Sequence, residues 1–213
     1  MLFIFYGGTF DPIHYGHLSL IKYLLNSIYY SKILIIPNNI PPHRSKTFAN
    51  SEQRLFMLNL ALNELKNIDK KRIFIDKTEI NSKNVSYTVR TLYKLKNKYK
   101  INSSPCALVV GQDVILKINT WYNSSEILNI CHLLVFKRYK KFNFFNFKNL
   151  RNSITKDINL IYSKNRGKIY FFNNPVVKIS SSKIRKRYRL GKSCSKLVPK
   201  DVDIYINKSN LYR

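Results

Sequence analysis

The chain has 213 residues, of which 38 are Lys or Arg and 11 are Asp or Glu, giving a formal net charge of +27. Its 45% hydrophobic and 14% aromatic content is enough for a packed core, which excludes an intrinsically disordered protein. The length fits one large domain, or one domain with a small appendage.

Such a charge usually indicates a nucleic-acid or anionic-membrane partner. However, Lys outnumbers Arg 27 to 11, and the chain is also rich in Asn (24) and Ile (25), residues whose codons are rich in A and T. Codon bias in an AT-rich genome therefore explains most of the charge, and local phosphate binding explains a few positions. A nucleic-acid-binding protein stays open as the weaker alternative.

The three cysteines, Cys106, Cys131 and Cys194, are far apart and form no CxxC pair. They indicate reduced thiols and a cytoplasmic protein rather than a disulfide framework or a zinc site. The apolar N-terminus lacks a basic lead and is interrupted by Gly7 and Gly8, so it predicts a first strand and not a signal peptide. No apolar run approaches membrane-spanning length.

Short apolar runs alternate with segments of helical period, which predicts an α/β fold. The predicted strands are 2–6, 33–36, 73–75, 107–110, 133–136 and 169–172. The predicted helices begin near residue 15, near Ser51 as a cap with Glu52 in the first turn, and after Ser86 as a cap, and they cover 181–190 and 199–208 near the C-terminus. The apolar face of the second helix is expected to be Leu55, Leu58, Ala61, Leu62 and Leu65.

These elements predict a Rossmann-like, doubly wound and mainly parallel sheet flanked by helices, with a small helical C-terminal part. We expect a single domain over 1–213. Residues 1–137 form its core sheet, 138–166 a variable segment without regular pattern, and 167–213 the last strand and the C-terminal helices.

Residues 7–17, GGTFDPIHYGH, follow the first predicted strand and open the first helix. The glycines let the backbone approach a ligand, and the helix N-terminus offers unpaired N–H groups and a positive dipole end to phosphate. His14 and His17 are three residues apart, so both imidazoles can face one anion. The pattern is neither a Walker loop nor a GxGxxG fingerprint.

The HxGH core resembles the signature of the nucleotidyltransferases related to class I aminoacyl-tRNA synthetases. With GGTFDP in front, it is similar to the pyridine-nucleotide and pantetheine-phosphate adenylyltransferases. Residues 179–185, ISSSKIR, resemble the ISSTxIR motif of the same family, with Ser182 in place of the usual Thr. Hydroxyls before a helix, with Arg185 in its first turn, form a second anion site.

Segments between these motifs resemble nicotinate-nucleotide adenylyltransferases in particular. Residues 41–44, PPHR, are similar to the PPH[KR] loop, 86–88 to the SYT segment, and 111–113 and 120–122 to the GxD and Trp-containing segments. The tail from Val198 resembles the VPxxVxxYI ending, so the resemblance covers nearly the whole chain. Only 138–166 carries nothing recognisable.

The resemblance implies two substrate sites. The ATP site would consist of Gly7, Gly8, Thr9, Phe10, His14, Gly16, His17, Gly111, Asp113, Ile179, Ser180, Ser181, Ser182 and Arg185. The nicotinate mononucleotide site would consist of Asn38, His43, Arg44, Ser86, Tyr87, Thr88, Trp121 and Tyr122. Of these residues, His14, His17 and Arg185 would be catalytic. Trp121 would stack on the pyridine ring, although a single Trp also suits a core anchor.

The implied reaction is adenylyl transfer from ATP to nicotinate mononucleotide, giving deamido-NAD and pyrophosphate in NAD biosynthesis. Mg²⁺ is expected on the substrate phosphates rather than in a protein cage. Alternatives are another HxGH adenylyltransferase, with nicotinamide mononucleotide or phosphopantetheine as acceptor, and a synthetase fragment, for which KMSKS is missing. The sequence leaves the oligomeric state open, and a homo-oligomer is one of the alternatives.

Overall fold

The structure is a computed structural model that describes residues 1–28, 31–40, 47–65, 70–137 and 150–213. The strands are β1 Leu2–Gly8, β2 Ser31–Pro37, β3 Ile73–Ile75, β4 Cys106–Gly111, β5 His132–Phe136, β6 Ile154–Thr155 and β7 Ile169–Phe171. The α-helices are α1 Tyr15–Ser27, α2 Ser51–Asn63, α3 Thr88–Lys98, α4 Gln112–Ile115, α5 Ile127–Ile130, α6 Asn159–Ser163, α7 Ser181–Arg189 and α8 Lys200–Lys208. Two 3₁₀ turns cover Ile118–Thr120 and Ser124–Glu126.

The strands form a sheet in the order β3-β2-β1-β4-β5-β7-β6. The pairs β1–β4, β4–β5, β5–β7 and β7–β6 are parallel. This order confirms the predicted doubly wound α/β fold, and each of the six predicted runs is a strand. The order changes direction between β1 and β4, and open α/β sheets bind ligands beyond the carboxyl ends of their strands at such a point.

The residues of the central strands β4 and β5 account for the position of these strands in the sheet. Every residue of β5 and every residue of β4 before Gly111 is buried. Continuous apolar runs such as LLVF suit strands that are covered on both faces, whereas alternating runs suit strands with one wet face. The sequence pattern therefore places β4 and β5 in the middle of the sheet.

The described chain divides into two compact units. The first comprises residues 1–7, 30–35 and 86–176, and the second comprises 8–29, 36–85 and 177–213. The first unit holds β4 to β7 with most of β1 and β2, and the second holds α1, α2, α7 and α8. The expectation of a single domain stays a prediction.

The structure corrects two expectations for α2. The N-cap is Asn50 and not Ser51, because the Asn50 side chain accepts a hydrogen bond from the N–H of Gln53 at 2.8 Å, and the Gln53 side chain accepts from the N–H of Asn50 at 2.9 Å. The predicted apolar face is confirmed in part, because Leu58, Ala61 and Leu65 are buried whereas Leu55 and Leu62 are half-buried. Arg54 and Met57 complete the buried face of the helix.

The start of α3 also differs from the prediction. The helix begins at Thr88 with Tyr87 in the N-cap position, so Ser86 does not cap it. The described part of the variable segment, 150–166, contains β6 and α6, while 138–149 lie outside the described residues. A two-residue strand and a five-residue helix are too short to produce a readable period.

Within the described residues, no helix combines the length and the apolarity needed to span a membrane. Cys106, Cys131 and Cys194 are buried and unoxidised. Burial raises the pKa of Cys106 to about 11, so its thiol stays protonated near neutral pH.

Candidate active site

The turn after β1 places the two motif histidines against each other. His14 is the N-cap residue of α1 and His17 is the third residue of the helix. Their rings stack with centroids 3.7 Å apart and an interplanar angle of 21°. The structure thus brings the two imidazoles together, as their spacing predicts.

One hydrogen bond defines the proton position on His17. The N–H of His14 donates to Nδ1 of His17 at 3.3 Å. Because Nδ1 accepts this bond, the neutral ring carries its proton on Nε2. His17 is half-buried, so Nε2–H is a donor suited to an anion at this turn.

Gly8 and Gly16 are required in this turn because neighbouring side chains leave no room for a Cβ atom. A Cβ atom on Gly16 would lie 2.9 Å from Cε1 and Nδ1 of His14, so only glycine leaves room for that ring. A Cβ atom on Gly8 would lie 2.8 Å from Cζ of Phe10. Since the side chain of Phe10 is buried, the contact with ATP that the resemblance implies for Phe10 is limited to its main chain.

The motif residue Asp11 is a buried hydrogen-bond acceptor that the sequence reasoning left without a role. Its Oδ2 accepts from the N–H of Phe48 at 2.9 Å, and its Oδ1 accepts from the N–H of Ala49 at 3.1 Å and from the hydroxyl of Tyr212 at 2.7 Å. Its main-chain oxygen accepts from Nη1 of Arg185 at 2.7 Å. Asp11 therefore connects the turn over residues 7–17, called the histidine turn below, with the segment before α2, with Tyr212 and with α7.

Arg54 is a second residue that sequence reasoning missed. It is fully buried on α2 and its Nη1 donates to the main-chain oxygens of Thr9 at 2.8 Å and Asn38 at 2.6 Å. Burial lowers its pKa, while Asp11 and Tyr212 raise it. The available signal was the spacing of Arg54 from Met57, Leu58 and Ala61, which puts this cation on an apolar helix face.

The serine motif begins α7 and contacts the histidine turn. Ser180 is the N-cap residue, and its Oγ accepts from the N–H of Lys183 at 3.4 Å. The Ser181 hydroxyl donates to the main-chain oxygen of Pro12 at 3.1 Å. Ser182 is exposed, and its Oγ accepts from Nη2 of Arg185 at 3.4 Å, so all three hydroxyls have partners within the protein.

The guanidinium of Arg185 is held in place from several sides. Besides its bonds to Asp11 and Ser182, it lies 4.6 Å from the ring centroid of Phe48. Phe48 is 58% exposed, so its ring serves mainly as a platform for this cation and for Arg189, which lies at 5.9 Å. Arg185 is half-buried and has five N–H donors, so it retains capacity for a phosphate.

The first unit carries the segments expected to bind the second substrate. The rings of Tyr87 and Tyr122 lie 4.8 Å apart, and the guanidinium of Arg90 lies 5.2 Å and 5.1 Å from their centroids. Trp121 follows a 3₁₀ turn and is half-buried, which does not fit a core anchor. The Ser86 hydroxyl is buried and has no hydrogen-bond partner in the described ranges.

The structure also locates Gly111, Asp113 and Asn38, which were predicted to bind the substrates. Gly111 is the N-cap residue of α4, and Asp113 lies in the first turn of that helix with a buried Oδ1. The N–H of Asn38 donates to the oxygen of Gly8 at 3.0 Å, while its Oδ1 is buried and lacks a partner among the residues described. His43 and Arg44 lie outside the described residues.

No group of three or more His, Cys, Asp or Glu side chains in the described part of the chain is placed to hold a metal ion. Mg²⁺ that is carried by substrate phosphates keeps several waters and needs no such group. The donors present at the histidine turn and α7 are N–H and O–H groups and cations, which suit phosphate oxygens directly.

Comparisons with known proteins identify the family of this chain. The profile of the cytidylyltransferase-like family matches residues 5–187. The probable nicotinate-nucleotide adenylyltransferase of Wigglesworthia glossinidia brevipalpis is 40% identical, and the match covers 100% of this chain and 98% of that protein. The nicotinate-nucleotide adenylyltransferase of Salmonella typhimurium is 37% identical, with 98% of this chain and 97% of that protein covered.

Solved structures show the same fold. Plasmodium falciparum nicotinic acid mononucleotide adenylyltransferase complexed with NaAD aligns with a TM-score of 0.79 at 22% identity, covering 99% of this chain and 97% of that chain. A second structure of that enzyme, complexed with APC, aligns with a TM-score of 0.74 at 24% identity, covering 99% of this chain and 96% of that chain.

Proposed function

Because this chain belongs to the nicotinate-nucleotide adenylyltransferase family, within the cytidylyltransferase-like proteins, we propose that it transfers the adenylyl group of ATP to nicotinate mononucleotide. An oxygen of the mononucleotide 5′-phosphate attacks the α-phosphorus of ATP. The bond from the α-phosphorus to the α,β-bridging oxygen breaks, and pyrophosphate leaves with the electron pair. The products are deamido-NAD and pyrophosphate.

The observation that carries the proposal is the junction between the histidine turn and α7. Two motifs about 170 residues apart in sequence meet through the bonds from Ser181 to Pro12 and from Arg185 to Asp11. Their union gathers the N-termini of two helices, two imidazoles and a guanidinium in one place. Such donors suit a triphosphate, since helix N-termini and Arg both favour phosphate oxygens.

The chemistry requires alignment and charge stabilisation rather than a general base. The attacking phosphate is already ionised at neutral pH, so no proton must be removed from it. His17 would donate its Nε2 proton in a hydrogen bond to the α-phosphate region, next to His14. Arg185 would stabilise the negative charge that develops on the leaving β- and γ-phosphates.

The start of α3 suits the acid form of the second substrate. Its first N–H groups carry the positive end of the helix dipole, and Arg90 adds a cation in the same turn. These features favour a nicotinate carboxylate over a neutral amide. Tyr87, Tyr122 and Trp121 offer aromatic surface of the kind on which a pyridine ring stacks.

Mg²⁺ is proposed as part of the ATP substrate. Carried on the ATP phosphates, it would reduce the repulsion between two anionic reactants. Asp113 is the carboxylate that family resemblance assigns to the ribose or the region around the phosphates and the metal. The protein's own contribution is to hold the phosphates at the helix N-termini.

Product analysis tests the proposal. The protein is incubated with Mg-ATP and, separately, with nicotinate mononucleotide, nicotinamide mononucleotide or phosphopantetheine, and the products are separated by chromatography. Deamido-NAD and pyrophosphate should form in equal amounts and faster than any other dinucleotide product. Absence of deamido-NAD, or faster formation of NAD or dephospho-CoA, would contradict the proposed acceptor.

A further inference from the structure

The penultimate residue, Tyr212, reaches the centre of the histidine turn. Its side chain is 7% exposed, and its hydroxyl donates to Oδ1 of Asp11 at 2.7 Å. The two residues are 201 positions apart in sequence. The backbone of Tyr212 has a φ of +66°, in the left-handed region that residues other than glycine rarely adopt. Such a conformation persists only where specific contacts hold it.

We propose that Tyr212 is a positioning residue for adenylyl transfer, acting through Asp11 on the orientation of Arg185. This inference rests on the proposed function. The Asp11 carboxylate holds the N–H groups of Phe48 and Ala49, and the Asp11 main-chain oxygen holds Nη1 of Arg185. Phe48 in turn supports the Arg185 guanidinium with its ring at 4.6 Å. Asp11 thus fixes Arg185 both directly and through Phe48.

The hydroxyl matters because the carboxylate is buried. A buried carboxylate is stabilised by hydrogen-bond donors on both of its oxygens. When an oxygen loses a donor, part of its desolvation cost is no longer compensated. Oδ1 has two donors, the N–H of Ala49 and the hydroxyl of Tyr212. Burial and the adjacent Asp11 raise the pKa of Tyr212, so its hydroxyl stays protonated and donates at all ordinary pH values.

Loss of this hydroxyl should displace groups that the reaction needs. The Asp11 carboxylate would turn toward its remaining donors, and the attached segment at Phe48 and Ala49 would shift with it. Displacements of about 1 Å far from the reacting atoms can reduce catalysis by about a hundredfold, because the aligned geometry is lost. Substrate binding by other groups need not change.

The chain offers a matched control for this change. The hydroxyl of Tyr188 donates to Oδ1 of Asp203 at 2.6 Å, and Tyr188 is 6% exposed. The rings of Tyr188 and Tyr212 lie 6.1 Å apart at an angle of 31°. Both residues are therefore buried tyrosines that donate to an aspartate in the same unit, but Asp203 lies on α8 and not on the histidine turn.

The first test compares Tyr212→Phe with Tyr188→Phe, since each variant removes one hydroxyl and keeps the ring. Tyr212→Phe should lower kcat about tenfold while the KM for nicotinate mononucleotide stays within about twofold. Tyr188→Phe should keep wild-type kcat, and both variants should lower Tm by about 2–4 °C. If both variants lose kcat equally, or neither does, the positioning role is wrong.

The second test needs no activity. Amide hydrogen exchange at Phe48 and Ala49 should be at least about fivefold faster in Tyr212→Phe than in wild type, and unchanged in Tyr188→Phe. Unchanged exchange in Tyr212→Phe would overturn the link through Asp11, whatever reaction the protein catalyses. Faster exchange together with a wild-type protein that makes no deamido-NAD would contradict the proposed function alone.

Discussion

His17 shows how a single hydrogen bond prepares a side chain for its task. Accepting the N–H of His14 on Nδ1 leaves the proton on Nε2, so the ring donates without becoming charged. The motif spacing predicts that the two histidines lie together. The tautomer could not be predicted, because it depends on the φ and ψ angles that make His14 an N-cap residue.

Replacement of His17 by Ala should therefore affect the reaction more than the fold. We expect kcat to fall by about 10²–10³-fold, the range found when one donor to a developing charge is removed. Steady-state kinetics and thermal unfolding check both parts of this expectation.

A suitable control is Ser19→Ala, which removes a hydroxyl that donates to the oxygen of Gly16 at 3.1 Å on the same helix. This variant should keep kcat within about twofold of wild type. The proposed role of His17 fails if His17→Ala is as active as Ser19→Ala.

Two important residues, Asp11 and Arg54, were not identified from the sequence. Asp11 stands in the GGTFDP motif, but its three carboxylate donors come from residues 48, 49 and 212. Contacts over such distances in sequence leave no period and no local pattern. Arg54 is hidden for a related reason, because a charged residue on a helix is ordinarily read as solvent-facing.

At the scale of elements, the long apolar strands and the helix positions were predictable, whereas helix ends and faces were less so. The strands β1, β2, β4 and β5 contain continuous apolar runs that few other structures permit. The predicted and observed faces of α2 differ because Arg54 takes a buried position that an apolar pattern assigns to Leu55. The N-cap of α2 also differs by one residue, since it is Asn50 and not Ser51.

That one-residue difference can be measured. Asn50→Ala removes the side chain that accepts from Gln53, so the free energy of unfolding should fall by about 1 kcal/mol. Ser51→Ala should change it by less than about 0.5 kcal/mol, because Ser51 lies inside the helix. Urea unfolding of both variants measures the two values, and a larger loss for Ser51→Ala would show that the cap is misassigned.

The buried His132 of β5 gives the first unit a pH-dependent stability. Its Nε2 donates to the oxygen of Lys164 at 2.8 Å, and its Nδ1 accepts from the N–H of Lys168 at 3.0 Å. Burial lowers the pKa of His132 from its usual 6.5. A second proton would occupy Nδ1 and break the bond from Lys168.

The sign of the effect follows from the direction of this pKa change. As pH falls below about 6.5, the unfolded chain takes up a proton at His132 before the folded chain does, so unfolding becomes more favourable. The loss should be up to about 1.4 kcal/mol per pH unit until the folded-state pKa is reached. Above pH 6.5 both states are neutral and this dependence disappears.

Urea unfolding of wild type and His132→Gln between pH 5 and pH 8 isolates this contribution. Gln has an acceptor and a donor but does not titrate, so the variant should lose less stability between pH 7.5 and pH 5 than wild type. Parallel pH profiles for the two proteins would mean that His132 does not titrate on unfolding.

At the scale of the whole molecule, the charge of +27 has two components. The first consists of cations with specific partners: Arg185 donates to the main-chain oxygen of Asp11, and the buried Arg54 donates to the main-chain oxygen of Thr9. Other cations, such as Lys186, Arg187 and Arg189 on α7, lie on exposed surface. The net charge alone indicated a polyanion partner, whereas the excess of Lys, Asn and Ile favoured codon bias. The sequence motifs were needed to indicate nucleotide substrates.

The histidine turn and α7 are proposed to serve adenylyl transfer to the acid form of the mononucleotide. The most direct test is a competition in which the protein receives Mg-ATP with equimolar nicotinate mononucleotide and nicotinamide mononucleotide, and the ratio of initial product formation is measured. We predict at least about tenfold more deamido-NAD than NAD, a difference that one charge-assisted contact can supply. Equal amounts of the two products, or an excess of NAD, would contradict the proposed preference for the acid.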